Sequence, residues 1–328
     1  MDQQQRTVMS YANDAAAIDG LAASYHQLTG EINKIIVGQK EVVKYVLISI
    51  FCDGHSLLVG VPGLAKTLLV KTIADVLDLS FKRIQFTPDL MPSDIIGSEI
   101  MNESRQFLFN KGPVFANIIL ADEINRTPPK TQAALLESMQ ERSVTFAGQL
   151  HALPLPFFVL ATQNPIEQEG TYPLPEAQLD RFMFNIKLDY LENDEEITMV
   201  KNTTSSRNVA LNKIISGTDI RYFQQLIRKI PVADNVLNYA VSIARKTRPG
   251  QSEAPAVVNE FVSWGAGPRA SQFLVLGAKC HAAINGKYSP DMEDVKAVAT
   301  PILRHRIILN YKAEAEGMSI EEIIGKIV

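Results

Sequence analysis

Leu57-Leu58-Val59-Gly60-Val61-Pro62-Gly63-Leu64-Ala65-Lys66-Thr67 constrains this chain more than any other stretch. Its apolar start reads as a buried strand, its glycines as a tight turn, and Lys66 onward as a helix. Gly60 to Thr67 fits a phosphate-binding loop at every position but one. In such a loop successive backbone N–H groups point inward at an anion. The helix that follows adds the positive end of its dipole. In that reading Lys66 reaches the β- and γ-phosphates of a nucleotide, and the Thr67 hydroxyl ligates Mg²⁺. The departure is Ala65, where the pattern wants glycine. Alanine tolerates a helical φ better than a positive one, so the helix is expected to have begun there. Taken alone, the stretch also reads as an ordinary strand-to-helix turn.

The chain has 328 residues, enough for two domains with cores of their own. Its apolar fraction of 46% and charged fraction of 21% are those of an ordinary globular protein. A net charge of −4 argues against a broad nucleic-acid-binding field. Cys52 and Cys280 fit no metal or redox spacing and read as buried thiols of a reducing compartment. No segment is long and apolar enough to span a bilayer; Val42 to Cys52 is too short and is broken by Lys44. Met1-Asp2-Gln3-Gln4-Gln5-Arg6 lacks a signal-peptide core. A cytoplasmic location is the expectation.

Residues 1 to about 14 read as a frayed polar tail. From Ile18, Leu21, Ala22, Tyr25, Leu28, Ile32 and Ile36 recur at helical spacing, with Gly30 expected to interrupt. Val37-Gly38-Gln39 forms a turn before a helix from Lys40 to Asp53. Ser56 to Val59 enters the loop, and Lys66 to Leu77 leaves it. Phe81 to Phe86 is a second strand. The stretch 87–113 lacks a clean period; it offers a helix start at Pro92 and a hairpin across 99–109. Asn117 to Ala121 is wholly apolar, which suits a parallel strand covered on both faces. A helix from Pro129 to about Glu141, a hairpin around Gly148 within about 143–156, and a strand from Pro156 to Ala161 follow. Phe182 to Leu188 alternates as a fifth strand. Beyond Tyr190 the spacing predicts helices over 194–207, 218–230, 233–247, 269–285, 291–309 and 319–327. The expected organisation is an α/β domain over 1–190 with a five-stranded parallel sheet, then a smaller all-helical one over 191–328.

Hydrolysing a nucleotide takes a metal carboxylate, a group that orients water, and positive charge for the transition state. Asp122 ends a buried strand, where an α/β sheet places its ligand chemistry. It can join Thr67 in the Mg²⁺ shell, with Glu123 polarising the attacking water; the pair can also be a polar strand end. Asn164 ends the next apolar strand, and its amide can bond the γ-phosphate or the water; before Pro165 it is equally a turn former. Arg181 is either a surface charge or a finger reaching a neighbouring subunit's nucleotide. Arg269 sits at a helix N-terminus, where a cation is unfavourable. It therefore either faces an anion or is simply solvated.

Gly60-Val61-Pro62-Gly63-Leu64-Ala65-Lys66-Thr67, Leu120-Ala121-Asp122-Glu123-Ile124-Asn125-Arg126, Ala161-Thr162-Gln163-Asn164-Pro165 and Leu174-Pro175-Glu176-Ala177-Gln178-Leu179-Asp180-Arg181-Phe182 together resemble the MoxR family of AAA+ ATPases. The resemblance covers almost the whole chain after residue 30. It implies a P-loop AAA+ core followed by a helical lid. It makes Lys66 and Thr67, with the loop through Leu68, the Walker A site for ATP, and Asp122 and Glu123 Walker B with Mg²⁺. Asn164 becomes sensor 1, Arg181 the arginine finger and Arg269 sensor 2. Val37, Gly38 and Gln39 match the segment near the adenine. The 87–113 and 143–156 stretches match the family's two hairpin inserts, and alanine at 65 is a family habit. Members are chaperone-like, form rings that are often hexamers, and commonly work with von Willebrand factor A-domain proteins.

The five histidines, His26, His55, His151, His281 and His305, show no paired metal spacing. Arg304-His305-Arg306 reads as a solvated helix face or an interface, and Trp264 as core or lid packing. The hairpins carry few basic residues and no aromatic ladder, which argues against a DNA motor. Three alternatives to a client-remodelling ATPase stand: a nucleotide-gated scaffold with negligible turnover, a small-molecule P-loop kinase, and a nucleic-acid remodeller.

Overall fold

The computed structural model describes residues 9–101, 105–167, 170–205 and 209–328. Residues 1–8 of the expected tail, the Asn102-Glu103-Ser104 tip of the first hairpin and the end of the helix expected over 194–207 lie outside the described residues.

Helix α1 (Asp14–Ile32) opens on Asn13, whose side chain accepts from Ala16 N at 2.8 Å. It runs straight through Gly30 rather than breaking there. Leu28 and Ile32, buried on either side of the glycine, offset the roughly 1 kcal/mol that a helical glycine costs. Within the expected tail, residues 9–13 are docked, not frayed. Met9 N donates to Asp219 at 3.0 Å, and the Tyr11 ring stacks on Tyr222 with centroids 5.9 Å apart. A Cβ at residue 20 would lie 2.3 Å from that Tyr11 ring, so Gly20 is the residue that lets the tyrosine lie against α1.

Helix α2 (Lys40–Phe51) leads into β1 (Ser56–Val59), and α3 (Lys66–Val76) leads into β2 (Phe81–Gln85). Short α4 (Pro92–Ile96) and the hairpin β3 (Gly97–Met101) and β4 (Phe107–Lys111) come before β5 (Ile118–Asp122). After it come α5 (Pro129–Glu141), the second hairpin β6 (Ser143–Phe146) and β7 (Gln149–Ala152), then β8 (Phe158–Gln163). Helix α6 (Glu176–Leu179) and β9 (Phe184–Lys187) complete this half.

The five expected strands form one parallel sheet in the order β2-β5-β8-β1-β9. Its central strands β1, β5 and β8 are mostly apolar because both their faces are covered. Leu58, Ile118, Leu120, Phe158 and Leu160 enter one core, and Leu57, Ile119, Ala121, Val159 and Ala161 enter the other. Parallel strands all end at the same edge, so β1, β5 and β8, side by side at the centre, deliver their C-terminal residues to one crevice.

The two hairpins are joined through Phe109, which stacks on Phe146 and His151 at 4.8 and 4.4 Å between centroids. The aromatic residues thus form no exposed ladder; they tie one hairpin to the other.

The second half is helical: α7 (Asn193–Thr203), α8 (Gly217–Lys229), α9 (Asp234–Lys246), then short α10 (Ala256–Phe261). Strand β10 (Val262–Trp264) follows, then α11 (Pro268–Ile284) and α12 (Met292–Leu303). Strand β11 (Ile308–Leu309), α13 (Tyr311–Glu316) and α14 (Ile320–Ile327) end the chain. Two short helices and the antiparallel β10–β11 ribbon are additions to the expected helices, and α12 stops at Leu303 rather than 309. Each is too short to show a period. The strand-to-helix change near residue 190 does not divide the interior. Leu58, Phe184 and Ile186 of the sheet share one continuous core with Phe223, Leu274, Val298 and Ile324 of the helices.

One local expectation is overturned, and another is narrowed to one of its two readings. Trp264 is 68% exposed on the ribbon instead of packed in a core. Arg304-His305-Arg306 is no solvated face. Arg306 is buried and donates to the Asp180 carboxylate at 2.8 Å and to the carbonyls of Asp180 and Phe182 at 2.8 and 2.7 Å. The cluster is the joint between the sheet half and the helical half.

Candidate functional site

The loop from β1 to α3 starts on Gly60, whose N–H donates to Gln163 O of β8 at 3.3 Å. Gly63 has φ +89°, and Ala65 has φ +53° and ψ +28°. The expected early helix start at Ala65 is therefore wrong in its backbone. Ala65 O already accepts the first helical bond, from Leu69 N at 2.9 Å, but its own φ is left-handed. An alanine in that conformation costs on the order of 1–2 kcal/mol. The cost is accepted because the turn must reverse the chain within a few residues of Gly60 and keep its N–H groups facing inward.

Lys66 is the first residue of α3 and folds back so that Nζ donates to Gly60 O. Burial pushes its pKa down, and the Asp122 and Glu123 carboxylates push it back up, so the ammonium lies in the field of both. Thr67, next in line, is half-buried on the same turn.

Asp122 ends β5. Its Oδ1 accepts from the buried Thr162 hydroxyl at 2.7 Å, and its Oδ2 accepts from Arg83 Nε and a terminal Arg83 nitrogen at 3.0 and 2.6 Å. Glu123 has a left-handed φ of +58° and donates its N–H to Thr162 Oγ1 at 2.8 Å. Thr162 thus fixes both residues relative to β8. The Glu123 carboxylate accepts from Gln85 Nε2 at 2.9 Å and from Arg126 at 3.0 Å. Asn164, just past β8, donates from Nδ2 to Glu167 at 3.3 Å. Lys66, Thr67, Asp122, Glu123 and Asn164 are thereby gathered at the carboxyl ends of three adjacent strands.

Two expected residues stand apart from that crevice. Arg181 follows α6 and donates to Leu136 O of α5 at 2.7 Å, facing a cleft it shares with Glu137 and Gln140. Arg269, on the first turn of α11, faces an anion as one reading allowed. That anion is Asp180, 3.0 Å away, one residue before Arg181.

Beside the loop lies a cavity of about 380 Å³, within the range of small-ligand pockets. Val37, Gln39, Pro62, Gly63, Leu64, Ala65 and Leu68, all among the residues expected at the nucleotide, line it. Gly38 sits between two of them, turned by a φ of +67°. Val61 is not part of that lining. Ile35, Ile36, Tyr190, Leu191 and Met199 add apolar wall beside the polar Glu196 and Thr203, and none of them was expected there from sequence. The signal for them was weak: apolar residues at a helix end and on a polar helix, α7, with no buried face of its own. Arg83, Gln85, Thr162 and Arg126, which hold the Asp122 and Glu123 carboxylates, and Glu167, which pairs with Arg126 and Asn164, were also missed. Arg83 and Gln85 alternate on one face of β2, a pattern that sequence alone cannot tell from a solvated strand face.

Among the described residues no cluster of three or more His, Cys, Asp or Glu forms a metal cage. The hard oxygens of Thr67 and Asp122 nonetheless suit Mg²⁺, which keeps waters and phosphate oxygens as its other ligands. No helix of the described residues is long and apolar enough to cross a membrane.

Comparison with known proteins bears on the same residues. Residues 55–184 match the family model described as the ATPase family associated with various cellular activities (AAA), and residues 255–327 match the AAA lid domain. The chain is 43% identical to the chaperone MoxR1 of Mycobacterium tuberculosis, over 94% of this chain and 83% of that one. It is 39% identical to YeaC of Bacillus subtilis, over 98% and 96% of the two chains. The protein MoxR of Methylorubrum extorquens is 28% identical over 85% of this chain and 86% of its own. A solved structure from Cytophaga hutchinsonii superposes with a TM-score of 0.89 at 45% identity, covering 95% of each chain.

Proposed function

The chain belongs to the MoxR family of AAA+ ATPases, and from that premise we propose that it couples Mg²⁺-dependent ATP hydrolysis to remodelling or maturation of client proteins, in a ring whose active sites are completed between subunits. One observation carries the reading: Lys66, Asp122, Glu123 and Asn164 meet at the ends of β1, β5 and β8, with the Lys66 ammonium in the field of both carboxylates.

The adenine enters the 380 Å³ cavity beside Val37 and Gln39. The N–H groups of Gly60 to Thr67 cradle the phosphates, and Lys66 leaves Gly60 O to reach the β- and γ-oxygens. Thr67 and Asp122 would hold Mg²⁺, which would supply neutralising charge for phosphoryl transfer. Glu123 orients the attacking water and accepts its proton. Asn164 donates its amide N–H to the γ-phosphate. Arg181 acts on the neighbouring subunit's nucleotide, and Arg269, held by Asp180, couples the helical half to the site.

Ile100, Met101, Phe107, Leu108 and Leu150 are exposed on the two hairpins and offer an apolar surface to a client. Because Phe109 ties the hairpins together, they move as one unit. A hexameric ring, a von Willebrand factor A-domain partner, no nucleic-acid substrate and a cytoplasmic setting complete the proposal by family resemblance.

The test is the ATPase rate per subunit against protein concentration, for the native chain and Arg181→Ala. The expected rate falls on dilution and is lost in the variant. A rate that stays constant well below any assembly threshold, and is untouched by Arg181→Ala, removes the shared site.

A further inference from the structure

The sheet has a second edge, away from the crevice. Asp53 lies just ahead of β1 and Pro156 just ahead of β8, at the amino ends of strands whose carboxyl ends form the nucleotide site. With Arg142 and the α8 residues Arg221, Gln224 and Arg228 they line a cleft of about 120 Å³. It has room for one phosphate-sized group and is well below the size of a nucleoside pocket.

The charge of this cleft is one-sided. Three arginines face it against one carboxylate, Asp53, which accepts from Arg142. Among the described residues the Arg221 and Arg228 guanidinium groups have no carboxylate or carbonyl partner. Elsewhere the chain pairs its arginines: Arg245 with Glu253, Arg269 with Asp180, Arg304 with Glu321. Behind the cleft Lys279 Nζ donates to Arg228 O at 3.0 Å, and burial and then the Arg228 charge lower its pKa. Positive charge thus accumulates here in a chain whose net charge is −4.

The donors are also held in place. Arg221, Gln224, Gln225 and Arg228 recur at i, i+3, i+4 and i+7 on one face of α8, while Ile220, Phe223, Leu226 and Ile227 bury the other. Gln224 Nε2 donates to Ile50 O at 2.8 Å and fixes that face against α2. A helix face that only meets solvent gains from mixed signs at this spacing; Arg-Gln-Gln-Arg has no acidic member and meets a third arginine across the cleft. Asp53, just after α2, and Arg142, at the end of α5, have φ of +60° and +52°, at helix ends where glycine costs least. An arginine there costs about 1–2 kcal/mol. What it supplies over glycine is a guanidinium in the cleft.

We propose that this cleft is a second anion site, which binds a phosphate group between Arg142 of the sheet half and Arg221 and Arg228 of the helical half. Guanidinium forks donate in pairs to phosphate oxygens. A carboxylate offers two oxygens in one plane, whereas the tetrahedral oxygens of a phosphate suit forks arriving from two sides. The bound anion offsets the repulsion among three cations and so tightens the joint between the halves. The phosphate is either free or the head of a small monoester. The site stands apart from the nucleotide crevice and does not depend on the activity proposed above.

Thermal unfolding against inorganic phosphate tests this, with NaCl at matched ionic strength as the reference. The native Tm should rise with phosphate, saturably and beyond the NaCl effect. Phosphate also meets the Gly60 to Thr67 loop, so variants separate the two sites. Arg221→Gln with Arg228→Gln should weaken the apparent phosphate Kd at the cleft roughly ten- to one-hundred-fold. Both arginines are exposed, so that variant should unfold without phosphate at or above the native Tm. Arg221→Lys with Arg228→Lys, which keeps the charge, should recover most of the binding. Lys66→Ala, at the loop, should leave the cleft's share of the stabilisation in place. Glycerol 3-phosphate in place of phosphate identifies the source: equal or tighter binding assigns a monoester, and binding weaker by roughly ten-fold or more assigns the free anion. The proposal is overturned if phosphate does no more than NaCl, if the double glutamine variant responds to phosphate as the native chain does, or if Lys66→Ala alone abolishes the response.

Discussion

The chain contains two clusters in which arginines meet carboxylates, and they differ in almost everything except their chemistry. In the crevice, Arg83 pairs with Asp122 and Arg126 with Glu123, with 47% and 36% of the two arginine side chains exposed. At the joint, Arg306 pairs with Asp180 while its own side chain keeps 2% of its surface. It also donates to the carbonyls of Asp180, Phe182, Met183 and Ile302 and lies over the Phe273 ring, 5.1 Å from its centroid. Burial outweighs the opposing pull of the Asp180 carboxylate and leaves the Arg306 pKa lowered to about 10. A cation in that position holds only while every donor is satisfied. The exposed cluster can let go, and the buried one cannot. One suits a site that must exchange partners each cycle; the other fixes the helical half on the sheet, with Arg269 and Arg181 on either side of the same Asp180.

The comparison breaks most readily at Arg306. Arg306→Met leaves Asp180 without one of its two arginines and strips donors from four buried carbonyls. Removing one partner of such a network costs about 3–5 kcal/mol. Denaturant unfolding should show that loss. A change under about 1 kcal/mol would place the joint with the ordinary surface pairs.

Acid tests the buried groups next. His55 is buried: its Nδ1 accepts from Val159 N at 3.0 Å, and its Nε2–H donates to Met139 O at 3.2 Å. Burial lowers its pKa from the ordinary 6.5 to about 4, and His305, half-buried beside Arg306 at the joint, is lowered as well by desolvation and by Arg306. Unfolded histidines take up protons that the folded ones refuse. Stability is therefore full above pH 6.5 and falls as pH drops toward 4. The His55 share is about 3 kcal/mol across that window. His55→Gln should flatten the pH dependence of the unfolding free energy by that amount. An unchanged slope would mean that the native chain opens enough to hydrate the ring.

The same contrast explains what could be read in advance. Strands β1, β5 and β8 are covered on both faces, and that shows in one dimension as unbroken apolar runs. The residues at their ends, Lys66, Asp122, Glu123 and Asn164, inherit their place from the strand. Arg306 gave no such sign. Arg304-His305-Arg306 is as polar as a solvated face, and what buries it is Asp180, 126 residues away. Gly30 and Ala65 misled in opposite senses. A glycine read as a helix break was carried by the burial of Leu28 and Ile32. An alanine read as helical was forced left-handed by the turn it occupies. Trp264 misled because size suggested a core, while its ribbon projects from the helical half. Local propensity is overridden wherever contacts between distant segments decide, and those are the segments with no period of their own.

The smallest effect belongs to Arg83, and it is the sharpest statement of the difference. Arg83→Gln removes an ion pair of 2.6 Å to Asp122, shorter than the 2.8 Å of Arg306 to Asp180. If distance ruled, the two substitutions would cost alike. Exposure rules instead, because water replaces what a solvated pair loses. The expected change in unfolding free energy is under about 1 kcal/mol. The same substitution frees the Asp122 oxygen that Arg83 occupies, so the Mg²⁺ concentration for half-maximal ATPase rate should fall by roughly two- to five-fold. A titration of that rate with MgCl₂ at saturating ATP reads it. Loss of several kcal/mol, or a rise in the Mg²⁺ requirement, would show that Arg83 holds Asp122 in place for the metal rather than in its stead.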